Sequence, residues 1–194
     1  MSHLSTRKYV IIACLAAISY LLMFLSFSII PLVPWMKIDF ADIPILLGFF
    51  TLGPLGGVMI AIVRSILYLI ISGISVASII GVGTNLLASF ALCLPIYYVL
   101  NKKINAGIKD YTLATIAGTT SLTFFLSIAN WTVITPLYIA VLGMKLSVPL
   151  NQLILFGVVP FNLIKGVVVS ALFAVIYVKL HAWLQAKARQ LSTH

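Results

Sequence analysis

Apolar positions fall into five long blocks, Val10 to Pro31, Ile43 to Ile71, Val76 to Leu100, Tyr111 to Leu142 and Leu153 to Tyr177, separated by short polar or basic stretches. About 20 apolar residues suffice for a helix to cross a bilayer, so each block is a candidate span. The second block is too long for one simple crossing. At about 1.5 Å per residue it would exceed 40 Å against a hydrocarbon core of about 30 Å. Gly53-Pro54 and Gly56-Gly57 inside it are turn chemistry, which divides the block into a short helix and a full one. The pattern predicts an all-α, polytopic membrane protein: one domain over residues 1–194, six helices in a single bundle near 9–30, 43–52, 54–72, 76–100, 110–142 and 153–184.

Composition agrees. The chain is 62% hydrophobic and 8% charged, with a mean hydropathy of +1.20, too little polar surface for a soluble domain. A net charge of +9 raises the question of nucleic acid, but the basic residues form no patch or stripe. They flank the apolar blocks, as topogenic residues do. Six helices with both termini cytoplasmic place Arg7, Lys8, Lys102, Lys103, Lys109, Lys179, Lys187 and Arg189 inside, and Lys37 and Lys145 outside. Five spans give a weaker inside excess. The first block runs too long, without a small-residue cleavage site, to read as a signal peptide, and is expected to be a retained helix. Cys14 and Cys93 lie within apolar runs and read as small core residues.

With that topology, separate segments send their rare polar residues to one depth. Asn130 lies about 30 Å along a helix that begins inside, hence near the outer surface. Asn162 and Lys165 sit in the outer half of the last helix, three residues apart and so on one face. Gly81, Gly83 and Asn85 enter from outside at a similar height, beside the loop from Trp35 to Asp42. A lysine in mid-helix costs a few kcal/mol and normally faces the bundle interior; the competing reading of Lys165 is snorkelling to outer headgroups. Asn130 reads equally well as interhelical glue, and Asn85 reads by default as such glue. Arg64 lies near mid-membrane with either a carboxylate partner or the interface in reach. Asp42, before Ile43-Pro44, reads by default as a helix N-cap.

Several functions are excluded. The chain has no phosphate-cradling GxxxxGK[ST] motif, so ATP hydrolysis is not its own. His3, His181 and His194 lie near the ends, away from any nucleophile. An acidic proton relay and the internal repeat common in secondary transporters are both missing. A binding site without chemistry is what remains: solute capture powered by something else.

The segments Lys37-Ile38-Asp39-Phe40-Ala41-Asp42-Ile43-Pro44, Gly53-Pro54-Leu55-Gly56-Gly57, Asn85-Leu86-Leu87-Ala88, Asn130 with Pro136-Leu137-Tyr138, and Pro160-Phe161-Asn162-Leu163-Ile164-Lys165-Gly166 together resemble the riboflavin-specific S components of energy-coupling factor transporters. The likeness runs in order from the first helix to the last, and Pro-Phe-Asn-x-x-Lys-Gly is its most specific element. It implies a non-catalytic subunit of the bacterial plasma membrane that binds riboflavin from outside, carries no cofactor, and docks on a transmembrane coupling subunit driven by two ATPase subunits. Docking would use Ala13 and Ala17, which fit the family's Ala-x-x-x-Ala pattern. Ligand contacts would fall on Leu46, Gly81, Asn130, Asn162 and Lys165, with Gly83 the alternative to Gly81 because Ile79-Ile80 replace the Pro-Val found in relatives. Isoalloxazine suits such a site: an Asn amide offers donor and acceptor in one plane to its alternating edge. The alternatives are an S component for another vitamin, such as folate or thiamine, and a stand-alone secondary carrier.

Overall fold

Backbone in hydrocarbon has no water to bond, so its N–H and C=O groups pair within helices. The computed structural model describes residues 6–101, 103 and 106–192, with side chains described up to residue 179. His3, Lys102, His181, Lys187, Arg189 and His194 therefore lie outside the described side chains. The elements are α1 (Thr6–Met23), α2 (Asp42–Ser72), α3 (Val76–Leu100), α4 (Ile108–Ala129), α5 (Thr135–Leu142), α6 (Leu150–Leu153) and α7 (Val159–Ser192). A π-helical turn, Asn130–Ile134, joins α4 to α5, and a second, Ile154–Val158, joins α6 to α7. Five stretches among the described residues are long and apolar enough to cross a membrane: Thr6–Met23, Asp42–Ser72, Val76–Leu100, Ile108–Leu142 and Leu150–Lys179.

The first helix stops at Met23, short of the expected end near 30. Beyond it the chain forms a loop over residues 24–41, in which Phe27 and Ile38 pair as an antiparallel bridge through N–H···O bonds of 3.1 and 2.9 Å. Pro31 and Pro34 cannot supply the N–H groups a continued helix would need.

Where a separate short second helix was expected, α2 runs on as one segment with a break inside it. Gly53 has φ 79° and ψ −178°, a region open essentially only to glycine. A Cβ built on Gly48 would lie 3.6 Å from the Gly57 Cα and on top of the Ile60 side chain. In a straight helix Gly48 and Gly57 would be about 13 Å apart. The chain therefore doubles back at Gly53, and the two glycines let the halves touch.

The interior is apolar and aromatic. Ile45, Leu46, Phe49 and Ile60 of α2 pack with Leu92 and Ile96 of α3 and Phe173 of α7, all at most 1% exposed. Phe50, Phe173 and Tyr177 form a knot, with the Phe50 and Tyr177 ring centres 4.6 Å apart. Outward faces are equally apolar: Leu21, Ile66, Ile70, Phe124, Phe125 and Phe156 are all exposed, as a lipid-facing surface requires. Cys93 is buried as expected, but Cys14 faces outward from α1, because its face of that helix has no neighbour.

Candidate functional site

The bundle holds a cavity of about 160 Å³. Its walls come from Trp35, Met36 and Lys37 of the loop, Gly81, Thr84, Asn85 and Ala88 of α3, and Leu126 at the end of α4. Asn130, Ile134, Thr135 and Tyr138 add a further wall, Met144 a rim, and Phe161, Asn162 and Lys165 of α7 the last side. Gly81, Asn130, Asn162 and Lys165 are thus brought together, as the sequence suggests. Leu46 is not: it is fully buried in the apolar core and does not line the cavity. Gly81 rather than Gly83 faces inward, since a Cβ there would meet the Tyr138 hydroxyl at 3.8 Å whereas one at Gly83 would meet nothing. Ala13 and Ala17 lie exposed on α1, and neither lines the cavity.

Both π-turns are built by proline. In each case a proline follows two residues after the turn ends, Pro136 after Ile134 and Pro160 after Val158. A proline ring inside a helix clashes with the carbonyl one turn back and offers no N–H, which widens the turn. The wide turns shift the register of the following segments and aim them at the cavity. Gly166 sets the height of α7: a Cβ there would stand 2.9 Å from the Thr119 Cα of α4, so the two backbones touch beside Lys165.

Both asparagines are oriented by their own helices. Asn130 Nδ2 donates to the Leu126 carbonyl at 2.8 Å, and Asn162 Nδ2 donates to the Val158 carbonyl at 2.9 Å. A carbonyl can only accept, so each amide nitrogen is turned back and each amide oxygen forward. The Asn130 oxygen in turn accepts from Thr135 Oγ1 at 3.3 Å.

Lys165 is 5% exposed and does not snorkel. Its Nζ lies 3.4 Å from Asp39 Oδ2 and 3.6 Å from Asp42 Oδ2. Asp42, 2% exposed, also accepts from Ser89 Oγ at 2.5 Å and faces Arg64 Nη1 at 4.0 Å. The capping reading of Asp42 is therefore wrong. No side chain caps α2; Asp39 Oδ1 instead accepts from the Ala41 N–H at 3.0 Å, and the Asp42 carboxylate turns into the bundle. Two acids and two bases thus form a neutral cluster behind the cavity, the arrangement that lets charge persist in a nonpolar interior. Arg64 belongs to this cluster, with Nε and Nη2 left without hydrogen-bond partners. The cluster was hidden in the sequence because Asp42 and Ser89 are 47 positions apart, and Asp39 and Lys165 are 126 apart. Thr135 was also missed; its only signal is the interval of five from Asn130, meaningful on a π-turn and not on an α-helix.

A polar cavity enclosed by membrane helices, with oriented amides and one buried ammonium but no reactive constellation, defines a solute-binding membrane protein. Comparison with known proteins makes the class specific: residues 7–177 match the ECF transporter, substrate-specific component, and the chain belongs to that family. It is 31% identical over 193 residues to the riboflavin transporter FmnP of Bacillus subtilis (strain 168), covering 98% of this chain and 99% of that one. It is 33% identical over 180 residues to the riboflavin transporter RibU of Staphylococcus aureus (strain TCH60), covering 92% and 93%. A solved structure described as the S component of a bacterial ECF transporter superposes with a TM-score of 0.74 at 34% identity, over 92% of this chain and 97% of its own.

Proposed function

We infer that this subunit captures riboflavin from outside and delivers it inward with energy supplied by partner ATPases. The observation that carries the reading is the cavity in which Gly81, Asn130, Asn162 and Lys165 meet, in a chain whose close relatives are riboflavin transporters. The amide edges and the ammonium match the donor and acceptor edge and the hydroxylated tail of a flavin, while Phe161, Leu126, Ile134 and Trp35 supply apolar and aromatic walls for its rings.

The reversal at Gly53 supports a finer architecture. Counting 42–52 as a short second helix makes six helices and puts both termini on the cytoplasmic side, as the placement of basic residues favours. The aromatic knot of Phe50, Phe173 and Tyr177 lies below the cavity, so a ligand has no ready passage through the bundle. Inward release then calls for reorientation of the whole subunit against a partner. That partner is a transmembrane coupling subunit carrying two ATPases, docked on the outward face of α1 at Ala13 and Ala17, where small side chains allow close approach.

Titrating riboflavin into the purified protein tests the reading. Trp35 lines the cavity, so binding should quench tryptophan fluorescence at submicromolar ligand. An unquenched signal at micromolar riboflavin, with a different vitamin retained through purification, would overturn the specificity.

A further inference from the structure

We propose that Thr135 is a positioning residue: together with the Leu126 carbonyl it locks the donor and acceptor order that Asn130 presents to the ligand. The proposal rests on the reading of the cavity as the ligand site. Asn130 is 6% exposed and lines the cavity, and its amide is held at both ends. The Leu126 carbonyl takes one amide hydrogen and the Thr135 hydroxyl donates to the amide oxygen. One N–H and one oxygen lone pair remain for a ligand, in a fixed order. Asn162 differs: its amide nitrogen is tied to Val158, and among the described residues no side chain donates to its oxygen.

Local geometry explains why Thr135 can do this. Residues five apart point to different faces of an α-helix, whereas the wider π-turn, bonded from i to i+5, brings them closer to one face. The Thr135 N–H bonds the Asn130 carbonyl, closing the wide turn, and the two side chains meet above it. Pro136 forces the turn open at that point. Thr135 is 5% exposed and its β-branched side chain has few rotamers, which restricts the contact. An amide held this way has no rotation to lose on binding, and it cannot turn to suit an analogue of reversed polarity. That is preorganisation, and it contributes affinity as well as selectivity.

The test is riboflavin binding by calorimetry to the purified wild type, Thr135→Val, Thr135→Ser, Asn130→Ala and the Asn130→Ala/Thr135→Val pair, with a thermal melt of each unliganded protein. Valine keeps the shape and removes the hydroxyl; serine keeps the hydroxyl. The expected result is a loss of roughly three- to tenfold in affinity for Thr135→Val, from one lost hydrogen bond. Thr135→Ser should stay within about twofold of wild type, and Thr135→Val should cost nothing further once Asn130 is alanine. Unchanged affinity in Thr135→Val overturns the proposal. So does an equal loss in the Asn130→Ala background, which would make Thr135 a ligand contact or a packing residue in its own right. If wild type ignores riboflavin and carries another vitamin, the flavin reading fails, and the same series with that vitamin decides the role of Thr135.

Discussion

Lys165 shows how a buried charge is made tolerable. Its ammonium lies among apolar neighbours, yet Asp39 and Asp42 stand 3.4 and 3.6 Å away and Arg64 balances the second carboxylate. Removing one member leaves the others under-compensated, which in buried pairs typically costs about 3–5 kcal/mol. Asp42→Asn is therefore expected to lower the melting temperature of the detergent-solubilised protein sharply, and a melt equal to wild type would show that the cluster is not structural. Lys165→Ala and Asn130→Ala are expected to weaken riboflavin binding by about 1–3 kcal/mol each. Fluorescence titration reads this directly. Full affinity in both would reduce these residues to packing roles.

Among the elements, α2 and the paired π-turns carry the design. Gly53 sits at φ 79° with ψ extended, where a side chain costs about 1–3 kcal/mol. Gly53→Ala should destabilise the protein by that amount in thermal melts, although nothing lies within 4 Å of the missing Cβ. The strain is in the backbone and not in a clash. Gly166 is the opposite case, because its difficulty is contact with the Thr119 backbone, which cannot step aside. Gly166→Ala should push α7 off α4 and displace Asn162 and Lys165 together, lowering both the melting temperature and riboflavin affinity. A variant that melts early yet binds as wild type would uncouple that packing from the site.

For the molecule as a whole, the cavity and the aromatic knot lie at different levels of α7, Asn162 and Lys165 at the first and Phe173 and Tyr177 at the second. On the docking face proposed for α1, docking and binding use separate surfaces. Ala13→Leu with Ala17→Leu is expected to abolish co-purification with a coupling subunit while leaving riboflavin affinity unchanged, since neither residue lines the cavity. Loss of binding in that variant would show that α1 shapes the site. Reporter fusions at the two ends check the topology. Six passes put both ends on one side of the membrane, and five put them on opposite sides.

The division between what was legible and what was not follows the range of the interactions. Hydrophobic block length and the Gly53-Pro54 signal act over a few turns, so the membrane class, the helical content and the reversal inside α2 could be read from the chain. That Asn130, Asn162 and Lys165 reach a common level could also be counted, because helical rise is constant. Helix rotation about its own axis is not countable in the same way. It decided that Leu46 faces the core, that Gly81 faces the cavity and that Cys14 faces outward. The fate of Asp42 was settled by partners on α3, α7 and the second half of α2, whose approach no local pattern announces. Periodicity along one helix says which depth a side chain occupies; only the packing of its neighbours says what it meets there.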